Sequence, residues 1–547
     1  MARRITLRKW QREALESFTS ANPDSYLAVA CPGAGKTTFA LAALRQRLRG
    51  EALPIVVVVP TQHLKQQWAE AAASFGLHLD PMWKSDEGAI AGDMHGVVVT
   101  YSQASSSWQA LAKLSKGGMV VLDEVHHAAT EKTWGDGVAN AFAGADCRLL
   151  LSGTPFRSDN NAIPFVEYSF GDHGDAIADY EYGFGEALVD GGVVRPVFFP
   201  RFDGHMEWIN TQGDEISAGF DDELLRAEWG ARLRTALSVD GQWLSTVLDH
   251  ANERLHSIRQ QHSNAGGLVI ATDHEHARGI AQMIEQRYNI TPAVALSDDP
   301  NASDVISNFA AGDGEWVVAV RMISEGVDIP RLRLAVFATT TTTPMFFRQA
   351  VGRIARWTPG QRSQRAYMYI PDDVRLRSHA MTIAQQRRHS IEKRNSSNAD
   401  DLAGRLDDRN AVVDAEEQMS LFSALSSTVL SDSPPEDGID RAEDILAAPE
   451  DLEGYPIDLP PPPPLPGRQA GGVPSGLGDI RTRREHKQRL RNFNTDRVRE
   501  IARCTGLSHQ QVNGELNKRA SITRINESTI AELELRLKCA DAWLEEL

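Results

Sequence analysis

A glycine-rich segment near the N-terminus constrains the fold of this chain more than any other feature. Residues Ala30–Thr38 read ACPGAGKTT, after the apolar run Tyr26–Val29 and before the apolar stretch Phe39–Leu44. This order predicts a buried strand, a tight turn and a helix, which is the context of a phosphate-binding loop. In such a loop, backbone N–H groups and the positive end of the helix face the phosphates. The segment therefore predicts a nucleotide site.

The loop residues have separable tasks in such a site. Gly33 and Gly35 permit a positive φ and let the backbone curl closely around a phosphate. Lys36 can reach the β- and γ-phosphates, and the Thr37 hydroxyl can ligate Mg²⁺. The predicted ATP-binding segment comprises Pro32, Gly33, Ala34, Gly35, Lys36, Thr37 and Thr38. Ala30 stands where the usual first glycine is found, and a chance Gly-Lys-Thr turn is the alternative interpretation.

Four further apolar runs read as buried parallel strands. They are Pro54–Val59, Gly96–Val99, Met119–Leu122 and Arg148–Leu151. Open α/β sheets bind ligands at the carboxyl ends of such strands. The residues that follow these runs include Pro60, Thr61, Thr100, Asp123, Glu124, His126, Ser152 and Thr154. We therefore predict one α/β domain over residues 1–202.

Two adjacent carboxylates at a strand end suit hydrolysis. Asp123 can hold the Mg²⁺ shell, and Glu124 can orient and deprotonate an attacking water. His126 could couple these groups to the turn Ser152–Thr154. Gln11, in an amphipathic stretch before the first strand, could read adenine, because an amide can pair with both N6 and N7. The alternatives are an acidic loop, a polar loop histidine and a surface glutamine.

The middle of the chain predicts two further parts. Residues 203–262 have helical patterning and are expected to form a connector, and residues 263–394 form a second α/β half without a phosphate-binding loop of its own. Arg353 and Arg356 are spaced i, i+3, which places them on one face of a predicted helix. Guanidinium groups directed at another domain's γ-phosphate stabilise the charge of phosphoryl transfer. A solvated basic helix is the alternative.

The C-terminal part has a different character. Residues 395–480 are dense in Asp, Glu and Pro and are expected to form a partly disordered linker with a stiff spacer at Pro460–Pro464. Residues 481–547 predict a small helical domain that could bind DNA or a protein partner. Thr505–Leu507 between two helical stretches fits a helix-turn-helix with Ser508–Lys518 as the groove helix, or a purely structural bundle.

Composition restricts the class of protein. The 547 residues are 41% hydrophobic and 24% charged, which is typical of a soluble globular chain. No apolar run reaches the roughly 18–20 residues that span a bilayer, and the N-terminus lacks the apolar core of a signal peptide. The four cysteines are scattered without metal-ligand spacing, so we expect a cytoplasmic protein without a structural metal. The net charge of −17 is an average and leaves room for local basic patches.

In their order along the chain, the motifs resemble those of superfamily 2 helicases. The matching segments are Gln11, Ala30–Thr37, Asp123–His126 (DEVH), Ser152–Thr154 (SGT), Ser324–Asp328 (SEGVD) and Gln349–Arg356 (QAVGRIAR). They look closest to the DEAH-like branch that contains type I/III restriction motors, XPB-like and RadD-like helicases. The resemblance covers about residues 5–380 and excludes the linker and the C-terminal segment.

The resemblance implies two RecA-like lobes, ATP and Mg²⁺ as cofactors, and a helicase or translocase activity on DNA. It implies catalytic roles for Lys36, Asp123, Glu124, Gln349, Arg353 and Arg356, with Gly326 and Asp328 sensing the nucleotide. It also implies nucleic-acid contacts by Pro60, Thr61, Thr100 and Thr272. An RNA helicase of the DEAH type is one alternative, and a recruitment protein with a switch-like ATPase is another.

Overall fold

The computed structural model describes most of the chain outside the linker. The described residues are 5–85, 89–129, 132–153, 157–158, 162–170, 173–209, 215–225, 228–296, 299, 302–320, 329–358, 361, 364–387, 454–465, 480–525 and 528–546. The predicted site residues Thr154, Gly326 and Asp328 lie outside these ranges. So do residues 388–394 of the predicted second half, and residues 395–453 and 466–479 of the predicted linker.

The chain divides into two compact units. The first comprises Met1–Val29, Gly35–Glu181 and Gly454–Leu547, and the second comprises Ala30–Ala34 and Tyr182–Glu453. Each unit contains a sheet with parallel strands and flanking helices. The predicted α/β class with two parallel-sheet lobes and a small helical C-terminal segment is confirmed.

Strands and helices alternate along the first unit. Its strands are β1 (Ile5–Leu7), β2 (Ser25–Ala30), β3 (Ile55–Val59), β4 (Leu79–Asp80), β5 (Gly96–Thr100), β6 (Met119–Leu122), β7 (Cys147–Ser152), β8 (Arg157–Ser158), β9 (Tyr168–Phe170), β10 (His173–Ala176) and β11 (Tyr180–Tyr182). Its helices before residue 150 are α1 (Lys9–Ala21), α2 (Lys36–Leu48), α3 (Gln62–Ser74), α4 (Tyr101–Ser106), α5 (Trp108–Leu114) and α6 (Lys132–Phe142), with a 3₁₀ turn at Val125–Ala129.

The main sheet of the first unit places the predicted site residues at one edge. Its strand order is β11-β2-β7-β6-β3-β5-β4, and the neighbours from β2 to β4 pair in parallel. Every residue of Ile55–Val59 is fully buried, as expected for a β-branched strand covered on both faces. Because parallel strands end at the same edge, the loops after β2, β6 and β7 are neighbours there.

The second unit repeats this architecture. Its elements are α7 (Phe184–Asp190), β12 (Val197–Phe198), β13 (Arg201–Phe202), β14 (His205–Ile209), β15 (Glu215–Gly219), α8 (Trp229–Ala236), α9 (Gln242–Gln261), β16 (Gly266–Ala271), α10 (His274–Tyr288), β17 (Ala293–Ala295), α11 (Ala302–Ala311), β18 (Trp316–Val320), β19 (Leu332–Ala338), α12 (Pro344–Ile354) and β20 (Ala366–Pro371). The strand order is β12-β20-β19-β16-β18-β17, with β13 also on β20, and all these pairs are parallel.

The predicted domain boundaries need two corrections. The division between the units does not fall at residue 202, because β12 and β13 pair with β20 of the second sheet. The stretch 203–262 is not helical throughout, because β14 and β15 form an antiparallel hairpin before α8. Its helices also do not stand apart as a connector, since Leu244 and Leu255 of α9 belong to the core of the second unit.

Residues 454–465, placed by the sequence in a partly disordered linker, lie along the first unit, and we call this segment the strap. It begins with β21 (Tyr455–Ile457), which pairs antiparallel with β1. The Arg45 guanidinium donates to the carbonyl of Pro460, and His95 Nε2 lies 2.9 Å from the carbonyl oxygen of Pro463. Proline has no N–H but keeps its carbonyl, so an extended proline run offers a row of acceptors.

Three C-terminal helices complete the first unit, α13 (Ile480–Thr505), α14 (His509–Arg519) and α15 (Ile530–Glu545). Lys487 Nζ of α13 lies 2.5 Å from Asp93 Oδ1, and Arg491 lies 3.2 Å from Asp80 Oδ2. Both carboxylates are buried, so these ion pairs fix the helices to the unit. No helix in the described ranges is both long and apolar enough to cross a membrane.

Candidate nucleotide site

The predicted phosphate-binding loop has the backbone that its glycines suggested. Gly33 and Gly35 adopt φ of +84° and +92°, in the left-handed region that favours glycine. Gly35 is the N-cap of α2, so helical residues begin at Lys36, followed by Thr37 and Thr38 in the first turn. The positive end of α2 therefore faces the loop.

Gln11 lies against this loop through its side-chain amide. Its Nε2 donates to the Gly35 carbonyl at 2.9 Å, and its Oε1 accepts from the backbone N–H of Arg8 at 2.8 Å. A Cβ on Gly35 would come within 2.6 Å of Gln11 Nε2, so only glycine permits this approach. The sequence placed Gln11 at an adenine, and the structure shows its amide holding the loop and the start of α1.

Lys36 and Glu124 form an ion pair at the carboxyl edge of the sheet. Lys36 Nζ lies 3.0 Å from Glu124 Oε1, and the Gly153 N–H donates to Glu124 Oε2 at 2.9 Å. Glu124 holds a positive φ of +49°, which is uncommon for a residue with a side chain. Burial alone would raise the pKa of Glu124, but Lys36 and His126 outweigh it and lower the pKa to about 2. Glu124 is therefore a carboxylate whose charge Lys36 already balances.

Asp123 differs from its neighbour in both contacts and charge. Its Oδ2 accepts from Trp68 Nε1 at 2.8 Å, and its backbone carbonyl accepts from the Tyr101 hydroxyl at 2.9 Å. Burial, followed by the repulsion of Glu124, raises the pKa of Asp123 to about 6, against the opposing effect of Lys36. Two adjacent carboxylates thus have separated pKa values, a pattern found where acid and base roles are divided.

His126 links the carboxylates to the next strand end. Its Nδ1 lies 3.4 Å from Ser152 Oγ and 3.7 Å from Glu124 Oε2. Ser152 is fully buried at the end of β7, and His126 is buried in the 3₁₀ turn after β6. The structure therefore brings together His126 and Ser152 as the sequence suggested, while Thr154 lies outside the described residues.

The four residues expected to contact nucleic acid lie at strand ends, and Thr100 and Thr272 already make side-chain hydrogen bonds. Thr100 Oγ1 accepts from the Gln103 N–H as the N-cap of α4, and the residue is only 5% exposed. Pro60 and Thr61 are half-buried before α3, and Thr61 makes no side-chain cap. In the second unit, Thr272 Oγ1 is 3.4 Å from the Ala338 carbonyl. The Thr100 N–H also donates to Gln103 Oε1 at 3.1 Å, so its hydroxyl and its N–H both belong to the capping box of α4.

Within the second unit, α12 carries two of the three residues predicted from the QAVGRIAR segment. Gln349 is buried on α12, and Arg353 lies in the last turn of that helix. Arg356 is not on the same helix face, because α12 ends at Ile354 and Arg356 forms an isolated bridge with Val194. The buried Arg195 guanidinium donates to the Arg356 carbonyl, which holds this extended backbone.

Pro32 and Gly33, which group with the second unit, lie close to α12 and to the residues that follow it. Pro32 lies against Gly352, where a Cβ would come within 2.4 Å of the proline ring, and a Cβ on Gly33 would come within 3.0 Å of Arg356 Cγ. Burial lowers the pKa of Arg356 to about 10, which still leaves the guanidinium charged at neutral pH. Close approach requires glycine at position 352, whereas the φ of +84° favours glycine at position 33.

The residues present fit a nucleotide with its magnesium ion. Gly153 leaves a space beside Lys36 and Glu124 that a Cβ would enter, at 3.0 Å from Lys36 Nζ. Thr37 and Asp123 offer hydroxyl and carboxylate oxygens, the donors that Mg²⁺ prefers. Among the described residues no cluster of three or more His, Cys, Asp and Glu side chains could hold a metal ion. Phosphate oxygens and water would therefore have to complete the coordination shell.

Sequence reasoning missed several residues that shape this site. Trp68 and Tyr101 both hydrogen bond to Asp123, and Gly153 both donates to Glu124 and leaves the space beside Lys36. Trp68 lies on α3 and Tyr101 opens α4, after the carboxyl ends of neighbouring strands. Their position after a buried strand was the available signal, but an aromatic residue there is more often part of the core.

Fold and motif together define a P-loop α/β protein, and comparison with known proteins narrows the class. Residues 4–157 match the family described as Type III restriction enzyme, res subunit, and residues 250–358 match the helicase conserved C-terminal domain. DNA 3'-5' translocase XPB2 of Sulfurisphaera tokodaii is 25% identical over 375 residues, which are 64% of this chain and 79% of that protein.

Two mycobacterial relatives are more similar. An uncharacterized protein of Mycobacterium leprae (strain TN) is 41% identical over 405 residues, 73% of this chain and 67% of that protein. An uncharacterized protein of Mycobacterium tuberculosis (strain CDC 1551 / Oshkosh) is 42% identical over 401 residues, 72% of this chain and 66% of that protein. The chain belongs to the superfamily 2 helicases, in one family with these mycobacterial proteins. The matched region spans about two thirds of their length.

Proposed function

We propose that this protein is a DNA translocase or helicase that couples ATP hydrolysis to movement along DNA. The observation that carries the proposal is the arrangement of Lys36, Glu124 and Asp123 at one sheet edge, directly beside a glycine-rich loop and the start of α2. Membership of the superfamily 2 helicases supports a nucleic-acid-dependent ATPase. The similarity to a protein named as a DNA translocase favours DNA over RNA.

Binding of the triphosphate would rearrange the ion pair at the site. Lys36 is held by Glu124 at 3.0 Å, and the phosphate oxygens compete with that carboxylate for the ammonium group. Once Lys36 contacts phosphate, Glu124 loses the partner that lowers its pKa. It then accepts a hydrogen bond from the attacking water and takes its proton. The pair therefore keeps the base inactive until substrate arrives.

Thr37 and Asp123 would hold Mg²⁺ at this edge. Mg²⁺ would neutralise charge on the β- and γ-phosphate oxygens when it is bound. Trp68 donates to one oxygen of Asp123, and the carboxylate would bind the metal through its other oxygen. His126, in contact range of both Glu124 and Ser152, would report the state of Glu124 to the end of β7.

Residues of the second unit would complete hydrolysis and translocation. Arg353 and Arg356 would stabilise charge on the transferring phosphoryl group, and Gln349 would orient the water. Gly326 and Asp328 would sense the nucleotide. Pro60, Thr61, Thr100 and Thr272 would hold phosphates of one nucleic-acid strand without reading sequence. The protein would act in the cytoplasm, with DNA and, through its C-terminal segment, a further partner.

The test is the ATPase rate without nucleic acid and with single-stranded DNA, duplex DNA or RNA of equal length. Stimulation by DNA is expected, with Lys36→Ala inactive under every condition. Preferential stimulation by RNA would reassign the protein to the RNA helicases. A rate that no nucleic acid changes would instead favour a recruitment protein with a switch-like ATPase.

A further inference from the structure

The three C-terminal helices form a bundle with its own small core. Val498 and Ile501 of α13 pack with Val512 and Leu516 of α14, and Ala540 and Trp543 of α15 close the cluster. Val512 and Leu516 are four residues apart, so they anchor one face of α14 to the bundle. The opposite face of α14 is left at the surface.

A short, well-defined turn joins α13 to α14. Gly506 adopts φ of +71° just after the end of α13, and Ser508 Oγ caps α14 by accepting from the Gln511 N–H. Helix, three-residue turn with a left-handed glycine and second helix is the arrangement of a helix-turn-helix unit. In DNA-binding units of this kind, the second helix enters the major groove.

The outer face of α14 is polar, exposed and open. Gln510, Gly514 and Lys518 lie at i, i+4, i+8, and all three are exposed. A Cβ on Gly514 would meet nothing within 4 Å. Glycine weakens the interior of a helix relative to alanine, and here no neighbouring group requires it. Glycine at such a position instead allows another molecule to approach the helix backbone closely.

The charge of the C-terminal segment favours a polyanion as that molecule. Residues 480–547 carry fourteen Lys and Arg against ten Asp and Glu, although the whole chain has a net charge of −17. Helix α13 alone carries nine basic and three acidic residues. A basic segment on an acidic protein, with an exposed amide and ammonium on one helix face, is complementary to a polyanion that also presents hydrogen-bonding groups.

Ion pairs hold the helix bundle against the sheet domain of the first unit. Besides the pair Lys487–Asp93, Asp93 Oδ2 accepts from the Ile530 N–H at 3.3 Å, so one buried carboxylate holds the starts of both α13 and α15. The cations used for this docking point into the unit. The exposed face of α14 is made of other residues and is not consumed by docking.

We propose that the exposed face of α14 (Gln510, Gly514 and Lys518) binds the major groove of duplex DNA. Gln510 and Lys518 donate to base edges or to flanking phosphates, and Gly514 lets the helix lie close to the groove floor. The duplex is thereby held at a fixed position on the first unit. This binding needs no nucleotide and does not depend on the proposed ATPase.

The test measures binding of the full chain, without nucleotide, to a labelled blunt duplex and to the matching single strand by fluorescence anisotropy. Gly514→Glu introduces a good helix former into open space, so it preserves the helix while placing a carboxylate in the groove. We expect it to weaken duplex binding about tenfold or more. Lys518→Ala should weaken it several-fold and lower the salt dependence by about one ion. Circular dichroism verifies that both variants fold.

Lys538→Ala is the matched control, because it removes the same charge from an exposed position on α15. Duplex affinity that is unchanged in Gly514→Glu and Lys518→Ala would overturn the proposal and leave the face to an acidic protein. An equal loss in Lys538→Ala, or an equal loss for single-stranded DNA, would also overturn it. A missing DNA-stimulated ATPase would contradict the proposed function alone, since these titrations contain no ATP.

Discussion

Two regions of the first unit differ in how their contacting residues are spaced along the chain. The nucleotide edge is formed by Lys36, Asp123 and Glu124. The docking face is where α13 and the strap contact the rest of the unit, through Lys487–Asp93 and Arg45–Pro460. At the nucleotide edge, the contacting residues come from short segments at or shortly after the end of a strand: Gly35–Lys36, Asp123–Glu124 and Ser152–Gly153. At the docking face, single residues join over long separations: Lys487 and Asp93 are 394 residues apart, and Arg45 and Pro460 are 415 apart.

This difference explains why the nucleotide edge can be predicted from sequence motifs and the docking face cannot. Phosphate binding requires particular residues at fixed spacing, because the groups must converge on one small ligand. Docking requires only that a buried charge or donor finds a partner somewhere on the other surface. The first requirement leaves a motif and the second leaves none. Variants in the two regions should therefore fail differently.

The largest effect is expected for Lys36→Ala at the nucleotide edge. It removes the phosphate-binding cation and leaves Glu124 without its ion pair. We expect ATP hydrolysis to fall by at least about 100-fold, the range seen when one preorganised charge-stabilising group is removed. Steady-state phosphate release measures it. Lys487→Met, which changes a lysine at the docking face, should leave the rate nearly unchanged. Comparable losses in both variants would show that the docking face also contributes to ATP hydrolysis.

The second effect concerns stability rather than turnover. Lys487→Met removes the partner of Asp93, which is 7% exposed, and an unpaired buried charge costs about 3–5 kcal/mol. Urea unfolding should report a lower free energy of unfolding for this variant. Arg497→Ala breaks an exposed pair with Asp541 and should cost less than about 1 kcal/mol.

A double variant sharpens this result. Asp93→Asn with Lys487→Met removes both charges, so it should regain part of the stability lost in Lys487→Met alone. A double variant that is as unstable as the sum of its parts would show that the two side chains do not interact in solution.

The same contrast accounts for what sequence analysis could predict. The strands β3, β5, β6 and β7 begin and end within about two residues of the apolar runs that predicted them, because continuous burial leaves a continuous apolar pattern. The hairpin β14–β15 was missed because its strands are short and mostly exposed or half-buried, with only Met206 and Ala218 buried. The strap was predicted to be a spacer because it is rich in proline. Its contacts with Arg45 and His95 use backbone carbonyls, which every residue has, so composition does not indicate them.

The candidate site was predicted only in part. The motifs predicted that Lys36, Asp123 and Glu124 lie at one sheet edge. They did not indicate Trp68 and Tyr101, which hydrogen bond to Asp123. Arg356 was assigned to a helix because spacing alone cannot show that Arg195 holds the Arg356 carbonyl outside α12. The nucleic-acid contact by Thr100 stays a prediction, and its role as the N-cap of α4 depends on Gln103 of the same turn.

A smaller effect is expected where the two regions meet. Arg45 lies on α2, the helix that begins at Lys36, and donates to the carbonyls of Phe75 and Pro460. Arg45→Met should release the strap locally by about 1–3 kcal/mol, because one buried and one part-buried carbonyl lose their donor. Faster amide hydrogen exchange and protease cleavage within residues 454–465 would measure it. Arg47→Met, on the same helix but paired with Asp146 at 4.0 Å, should leave the strap protected.

If Arg45→Met changes ATP hydrolysis as strongly as it changes exchange in the strap, the two regions are coupled through α2. The comparison would then need revision, since the docking face would take part in turnover. Unchanged hydrolysis with rapid exchange would keep them separate.

The smallest effect is a titration at the nucleotide edge. The pKa of Asp123 is raised from 3.8 to about 6, so the folded chain binds this proton more tightly than the unfolded chain. By linkage, the group favours folding at low pH, and this contribution is lost as the pH rises from about 4 to about 6. Glu124 acts in the opposite direction, because its pKa is lowered to about 2 and its contribution is lost as the pH falls below about 4.5.

Trp68 offers a direct probe, because its indole N–H donates to Asp123 Oδ2 at 2.8 Å and the side chain is 2% exposed. The fluorescence difference between the chain and Trp68→Phe should show a step near pH 6 in the absence of nucleotide. Asp123→Asn should abolish the step while keeping the indole buried. A step that persists in Asp123→Asn would assign the proton to another group. A difference that is flat between pH 5 and 7 would mean that Asp123 keeps an ordinary pKa, and that the opposing effect of Lys36 cancels those of burial and Glu124.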